Sequence, residues 1–255
     1  MSKLPDDELR RVPAAPVVAP AAAPERPTGD TSLPATLMVL TVVTGLVDAV
    51  SFLGLGHVFT ANMTGNVVFL AFAVAGAPGL SIPRSLASLI AFLAGAVIGG
   101  RLGVALGDRR RRWLLTVALV EAALLFAAAF ASVGYDIEST APASRLYAVI
   151  ILTALAMGLR NATVRRLAVP DMTTTVLTLT LTGIAADSSL AGGANPRVGR
   201  RVASVLLMFA GAAVGALLLR YGLALPLVLS GACVLVATIV YAGRRPPAAS
   251  PRDAS

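Results

Sequence analysis

The sequence predicts an all-α polytopic membrane protein with a two-fold internal repeat. Hydrophobic residues make up 56% of the chain and charged residues 13%, whereas a soluble domain carries about a quarter charged residues. The mean hydropathy is +0.81, and several apolar stretches reach the roughly 20 residues that a membrane-spanning helix needs. These stretches are continuous rather than alternating, which argues against a transmembrane β-barrel.

Three short motifs occur twice, in the same order, in the apolar part of the chain. The paired ranges are 45–50 with 158–163, 62–66 with 171–175, and 95–99 with 211–215. The first residues of each pair lie 113, 109 and 116 positions apart, so the register nearly holds. Internal repeats in membrane proteins are typical of transporters and channels, whose functional site lies where the copies meet.

The repeat and the composition divide the chain into five parts. Residues 1–32 are rich in Pro and Ala without a hydrophobic period, and residues 242–255 follow the last apolar stretch. We expect both to be disordered cytoplasmic tails. Between them, residues 33–133 form the first membrane repeat, 134–145 an external loop, and 146–241 the second membrane repeat.

Eight apolar segments lie between the tails, and the repeat pairs the first four with the last four. They cover about 34–55, 62–80, 86–107, 113–133, 146–164, 172–190, 202–220 and 223–241. The second segment begins with Asn62, and the sixth is rich in threonine. Polar or broken helices at membrane depth persist only where they are buried in protein or line a wet cavity.

The arginine clusters discriminate between two topologies. If all eight segments crossed, cluster 109–112 would lie opposite cluster 244–245, and cluster 165–166 opposite cluster 197–201, against the positive-inside rule. If the second and sixth segments enter and leave on one side, all four clusters become cytoplasmic. Each repeat then has three crossings, so the copies are inverted. We therefore expect about six transmembrane helices plus two re-entrant or broken segments, with two ordinary crossings as the alternative.

Residues 45–49 (Gly-Leu-Val-Asp-Ala) and 61–66 (Ala-Asn-Met-Thr-Gly-Asn) form two fairly specific motifs. They resemble the YoaK family of bacterial membrane proteins, also called DUF1275, and the resemblance covers about residues 34–241. It implies a multi-pass protein of the cell (plasma, or inner) membrane with about six spans. It implies no known activity, so no site residue is carried over from the family.

Asp48 is the sharpest candidate for function. It lies well inside the first segment, where a carboxylate costs several kcal/mol unless it is paired, hydrated or protonated. Such a residue is typical of proton or cation sites, although it can also cap a helix break or pair with an arginine. Its repeat counterpart is Asn161, so the two would make a single asymmetric, proton-linked site.

The second pair of motifs predicts two helix starts. Asn62 and Asp171 are good N-cap residues, and Thr64, Asn66 and Thr173 follow them closely. A helix N-terminus inside the membrane presents free N–H groups and a partial positive charge, which suits an anion or a polar solute. We expect the two starts to meet near the midplane; ordinary caps at the membrane surface are the alternative.

Three further charged residues lie in the apolar segments. Arg101 could pair with Asp48, bind an anionic substrate, or snorkel to the cytoplasmic interface. Arg160 has the same ambiguity, and Glu121 is a candidate partner for Arg101 or a second proton site. The Gly-x-x-x-Gly pairs at 95–99 and 211–215 are instead structural and let the third and seventh segments approach closely, across the pseudo-two-fold axis.

These features together predict a small-solute transporter or channel with a midplane site, proton-linked through Asp48. The partners are the lipid bilayer and an unknown small solute or ion, and a homo-oligomer remains open. The single His57 and the single Cys233 argue against an enzyme, a metal site and a cofactor, and short arginine clusters argue against nucleic acid. The alternative function is a non-transporting membrane partner or assembly protein.

Overall fold

The computed structural model describes residues 32–167 and 177–243, and in these ranges the chain is helical without a β-strand. Eight α-helices lie in the described ranges. They are α1 (Ser32–Gly54), α2 (Met63–Val74), α3 (Ile82–Leu106), α4 (Arg110–Ala131), α5 (Ala143–Leu167), α6 (Leu177–Ala186), α7 (Val198–Leu218) and α8 (Ala224–Gly243). The all-α prediction is therefore confirmed. Both predicted tails, apart from a few residues at their inner ends, lie outside the described residues.

Five apolar helical stretches of the described chain are long enough to cross a membrane. They are Pro34–Gly54, Ile82–Ala131, Ala143–Leu167, Val198–Tyr221 and Ala224–Gly243. The second stretch has 50 residues and contains α3, a 3₁₀ turn and α4. By contrast, α2 has 12 residues and α6 has 10. At 1.5 Å per residue, α2 and the described part of α6 are at most about 18 Å long, which is short of a hydrocarbon core of about 30 Å.

The two short helices fall in the segments for which broken or re-entrant helices were predicted. Local sequence explains where α2 begins, because the Asn62 side chain accepts a hydrogen bond from the Gly65 N–H at 3.4 Å, as an N-cap does. The Ser81 side chain caps α3 in the same way, since its hydroxyl oxygen accepts a hydrogen bond from the Arg84 N–H at 3.5 Å. Gly76, which has a positive φ, follows the C-cap residue Ala75 of α2 and turns the chain back toward α3.

The packing of the long helices repeats in the two halves of the chain. Helix α3 packs along α5, and α7 packs along α1; helix α4 contacts α5, and α8 contacts α1. Let α1 correspond to α5, α3 to α7 and α4 to α8. The α3–α5 contact then matches the α7–α1 contact, and the α4–α5 contact matches the α8–α1 contact. The first helix of each repeat therefore packs on the third helix of the other repeat, so the halves are interlocked.

Glycines bring these backbones together at equivalent positions. A Cβ on Gly95 would overlap the Leu155 backbone, and a Cβ on Gly211 would overlap the Val42 backbone. One helical turn further on, the other glycine of each pair repeats the contact with a residue four positions later in the partner helix. The Gly-x-x-x-Gly pairs are thus close-packing contacts, as predicted. Their partners differ from the prediction, because α3 packs on α5 and α7 packs on α1, and not α3 on α7.

The first helices of the two repeats, α1 and α5, run in opposite directions where they cross. Leu37 and Val164 pack in one apolar cluster. Further along α1 and further back on α5, the Arg160 guanidinium donates to the Thr44 hydroxyl at 3.1 Å. The order of these contacts is reversed between the two helices, as an antiparallel crossing requires.

The connections collect at two ends of the bundle. At one end, Arg84 at the start of α3 donates to the Gly56 carbonyl and to the Thr140 hydroxyl, each at 3.4 Å. This joins the α1–α2 and α4–α5 loops. In the α4–α5 loop, hydrogen bonds from the Ser139 hydroxyl and from the N–H groups of Glu138 and Ser139 lower the pKa of Asp136.

The opposite end carries arginines of the predicted cytoplasmic clusters. Arg111 donates to the Ala242 carbonyl near the end of α8. The Arg166 guanidinium lies over the Trp113 ring, 6.0 Å from its centroid. The cluster at 109–112, the end of α5 and the end of α8 therefore lie together, away from the acidic loop.

The apolar core fills the space between α1, α4, α5 and α8. Its fully buried members include Val43, Val47, Leu125, Ile150 and Leu227. The outer faces of the long helices carry large apolar side chains that are exposed in the isolated chain. Examples are Ile90 and Val97 on α3, Val120 and Phe130 on α4, and Leu206 and Phe209 on α7. Such faces suit lipid rather than water.

Candidate functional site

A cavity of about 340 Å³ lies where α1, α3 and α7 meet the first residues of α2 and α6. We call it the Asp48 cavity. The described residues that line it are Thr44, Asp48, Ala61, Asn62, Met63, Thr64, Gly65, Phe92, Leu177, Thr178 and Met208. The side chains come from both repeats, as expected for a site between two copies of one fold.

The carboxyl group of Asp48 is the most unusual feature of this cavity. Asp48 is 7% exposed, and its Oδ1 atom has no hydrogen-bond partner in the structure. The backbone N–H of Ala61 bonds to the carboxyl group. A buried polar atom without a partner costs about 1–3 kcal/mol, so the site retains an acceptor that a proton or a ligand can satisfy.

The first turn of α2 and the first described residues of α6 lie at the Asp48 cavity. Asn62 and Thr64 line it from the first turn of α2, and Leu177 and Thr178 line it from the start of α6. The first N–H groups of a helix have no partner inside the helix, so the start of α2 brings donors to the cavity wall. The second predicted helix start, at Asp171, lies outside the described residues, so the meeting of two helix starts stays a prediction.

Asn66, by contrast, does not line the cavity. Its Oδ1 accepts from the Phe59 N–H at 2.8 Å, and its Nδ2 donates to the Phe59 carbonyl at 2.5 Å and to the Ser88 hydroxyl at 3.1 Å. The residue is 1% exposed. The amide therefore holds the loop after α1 against α2 and α3, which corrects the predicted ligand contact to a positioning role.

Replacing Asn66 by alanine should lower the free energy of unfolding by about 1–3 kcal/mol, because the Phe59 N–H and carbonyl lose their buried partner. Thermal unfolding of the purified protein measures the loss. Thr182→Ala is the matched control, since it removes only an exposed bond to the Thr178 carbonyl within α6. Equal melting temperatures for the two variants would contradict the assignment.

Four other predicted site residues either do not line the Asp48 cavity or lie outside the described residues. Arg101 lies exposed on α3 and does not line the Asp48 cavity, which argues against two of its three alternatives, pairing with Asp48 and binding a substrate there. Asn161 is absent from the lining, and its Nδ2 donates to the Met157 carbonyl at 2.8 Å. Asp171 and Thr173 lie outside the described residues.

An ion pair in the protein interior joins Glu121 of α4 to Arg160 of α5. Their side chains are 2% and 1% exposed. Arg160 Nη1 also donates to the Leu40 carbonyl at 3.0 Å and to the Thr44 hydroxyl at 3.1 Å. Glu121 therefore pairs with Arg160 and not with Arg101. The sequence held a signal for this, since each is the one charged residue inside its apolar segment.

The pair stands next to the Asp48 cavity. Thr44 lines that cavity, and its hydroxyl bonds to Arg160. On the far side, Glu121 and Arg160 line a second, smaller cavity of about 50 Å³. The second cavity also contacts Thr36 and Tyr241, which lie near the end of the bundle that carries the arginine cluster.

Apolar helices of spanning length around a polar cavity define the class: a multi-pass α-helical membrane protein. The chain belongs to the DUF1275 family, described as a protein of unknown function, whose model matches residues 36–240. It is 34% identical over 154 residues to the UPF0700 transmembrane protein YoaK of Bacillus subtilis (strain 168). The alignment covers 60% of this chain and 66% of that protein. No solved structure is significantly similar.

Proposed function

We propose that this protein is a small-solute transporter or channel of the plasma membrane, proton-linked through Asp48. One observation carries the proposal: a carboxyl group with an unsatisfied oxygen, on a polar cavity inside an apolar helix bundle, where the short helix α2 begins. Ionisable groups at such depth are functional by default, because an idle carboxylate there costs several kcal/mol.

An inverted repeat is part of this proposal. The antiparallel crossing of α1 and α5, through Thr44 and Arg160, is what two oppositely oriented copies require. The matched contacts of α3 with α5 and of α7 with α1 support it further. In this arrangement α1, α3, α4, α5, α7 and α8 cross the membrane. Helices α2 and α6 re-enter, and the arginine-rich end is cytoplasmic.

The mechanism follows from the position of Asp48. A protonated carboxyl group is neutral and is stable in a low-dielectric site, whereas the ionised form needs a donor or a cation. Loss of the proton and arrival of a solute are therefore coupled at one atom, Oδ1, which lacks a protein partner. Asp48 is the one ionisable group among the described lining residues, so a catalytic acid–base pair has no second member there.

Access to the cavity from both membrane faces tests the proposal. Met208 lines the cavity from α7, and the chain has one cysteine, Cys233. In proteoliposomes of a Cys233→Ala, Met208→Cys variant, a membrane-impermeant thiol reagent should label the thiol introduced at position 208 when it is added from either side. Labelling from one side only, or none, would favour a non-transporting partner protein instead.

Two further cysteine positions show, in the same experiment, which face of the membrane each end of the bundle occupies. Ser81→Cys should react from outside only, and Asp187→Cys from the cytoplasmic side only, because α2 and α6 re-enter from opposite faces in this proposal. Reaction of both positions from the same side would overturn the inverted topology.

A further inference from the structure

The lining of the Asp48 cavity indicates the charge of its ligand. Among the described residues that line it, Asp48 is the one charged side chain; the others are threonines, one asparagine and apolar residues. No lysine or arginine of the described chain contributes to this lining. A described lining with one carboxylate and no cation favours a ligand that brings a positive charge.

Nearby charges do not reverse this preference. Arg160 of α5 reaches the neighbouring Thr44, but Glu121 of α4 neutralises it through the buried ion pair. The other helices packed on α1 are α7 and α8, which carry no charged residue between Val202 and Leu219 or within Ala224–Gly243. The α1–α2 loop and α2 contribute only His57, which is exposed.

The partial positive charge at the start of α2 is smaller than the negative charge of an ionised Asp48. A helix N-terminus carries about half an elementary charge, against a full negative charge on an ionised Asp48. The Ala61 N–H next to this end already bonds to the Asp48 carboxyl group. An anion in the cavity would therefore meet a carboxylate, and the Ala61 N–H beside it is already engaged.

The remaining walls suit an apolar body attached to the charge. Met63, Phe92 and Met208 line the cavity from α2, α3 and α7. An aromatic face attracts an organic cation, and methionine side chains adapt to irregular ligands. The volume, about 340 Å³, lies at the lower end of the range of roughly 300–1,000 Å³ seen for small-molecule sites.

We propose that the Asp48 cavity binds a small monovalent organic cation with an apolar body, of the substituted-amine class, in exchange for the proton of Asp48. The carboxyl O–H bond breaks, the proton leaves to water, and the cation pairs with the carboxylate without a covalent bond. One positive charge enters for each that leaves. This inference rests on the proposed function and specifies its substrate class.

Benzyltrimethylammonium is the probe, because its charge is independent of pH and any pH dependence of its binding reports on the protein. Isothermal titration of the purified full chain on the acid side, where Asp48 carries its proton, should show 1:1 binding with one proton released, detected by comparing buffers of different ionisation enthalpy. Affinity should fall about tenfold per pH unit on the acid side, where the proton competes. Benzoate, an anion with a similar apolar body, should not bind.

Two variants locate the site. Asp48→Asn should weaken benzyltrimethylammonium binding at least tenfold and abolish proton release, whereas Asp136→Asn in the exposed α4–α5 loop should change neither. Met208→Trp, which fills the cavity and keeps the carboxylate, should also weaken binding at least tenfold. Size-exclusion profiles and melting temperatures check that each variant is folded.

Binding of benzoate in place of the cation, binding without proton release, unchanged binding in Asp48→Asn, or no binding of the cation would each overturn the inference. These results are separate from the test of the proposed function. Two-sided labelling of the Met208→Cys variant without cation binding would retain the transporter and reject the cation class. Cation binding with one-sided labelling would retain the site and reject transport.

Discussion

Replacing Arg160 by alanine should lower the free energy of unfolding by about 3–5 kcal/mol, the typical cost of breaking a buried ion pair by removing one partner. The truncation leaves Glu121 with its partner gone, at 2% exposure. It also removes the donor to the Leu40 carbonyl and the Thr44 hydroxyl. Three helices, α1, α4 and α5, lose a shared contact at once.

The measurement is reversible unfolding in mixed micelles, or thermal melting of the detergent-solubilised protein. Arg101→Ala is the matched control, because it truncates an exposed arginine of an apolar helix and should change stability by less than about 0.5 kcal/mol. The double variant Glu121→Leu, Arg160→Met should recover much of the loss, since apolar replacement of both partners removes the unpaired charge. A loss in Arg160→Ala no larger than that in Arg101→Ala would contradict the role of the pair.

Alanine at Gly45 and at Gly158 should destabilise the fold by similar amounts, about 1–3 kcal/mol or more each. A Cβ at Gly45 would overlap the backbone of α7 at Met208 and Ala212, and a Cβ at Gly158 would overlap the backbone of α3. Backbone cannot rotate away as a side chain can, so the helices must separate. The effects should match because the two positions are equivalent in the repeat.

Gly100→Ala supplies the control for this pair. It lies within α3, but nothing lies within 4 Å of a Cβ added there. Alanine should therefore stabilise the helix by up to about 1 kcal/mol through its helix propensity. Melting temperatures of the three alanine variants, at Gly45, Gly158 and Gly100, measure these changes in stability. A large loss at Gly45 with none at Gly158 would contradict the structural equivalence of the two repeats.

Much of the architecture was accessible from sequence. The helical class follows from the apolar runs. The prediction that the second and sixth segments are broken or re-entrant rests on their polar residues and on the arginine clusters, because these two runs are as long as the fifth and the seventh. The grouping of Asp48, Asn62 and Thr64 at one cavity was also foreseeable. It follows from the cost of isolated polar groups in an apolar segment, which brings such groups together.

The role of Asn66 was not foreseeable in the same way. It belongs to the same motif as Asn62 and Thr64, so the sequence alone assigned all three to the ligand. The chain turn at Phe59 instead brings a backbone N–H and a carbonyl opposite the amide. A buried amide bonds to whatever backbone group is within reach, and that depends on the path of the loop.

The sequence by itself determined the all-α membrane class, the duplicated motifs and the position of Asp48 within an apolar segment, because hydropathy and motif spacing are read along the chain. Only the tertiary structure decided the pairing of Glu121 with Arg160 and the placement of Arg101 on the outer face of α3. The paired residues lie 39 positions apart. Their contact depends on how α4 and α5 pack and rotate, which a list of apolar segments does not contain.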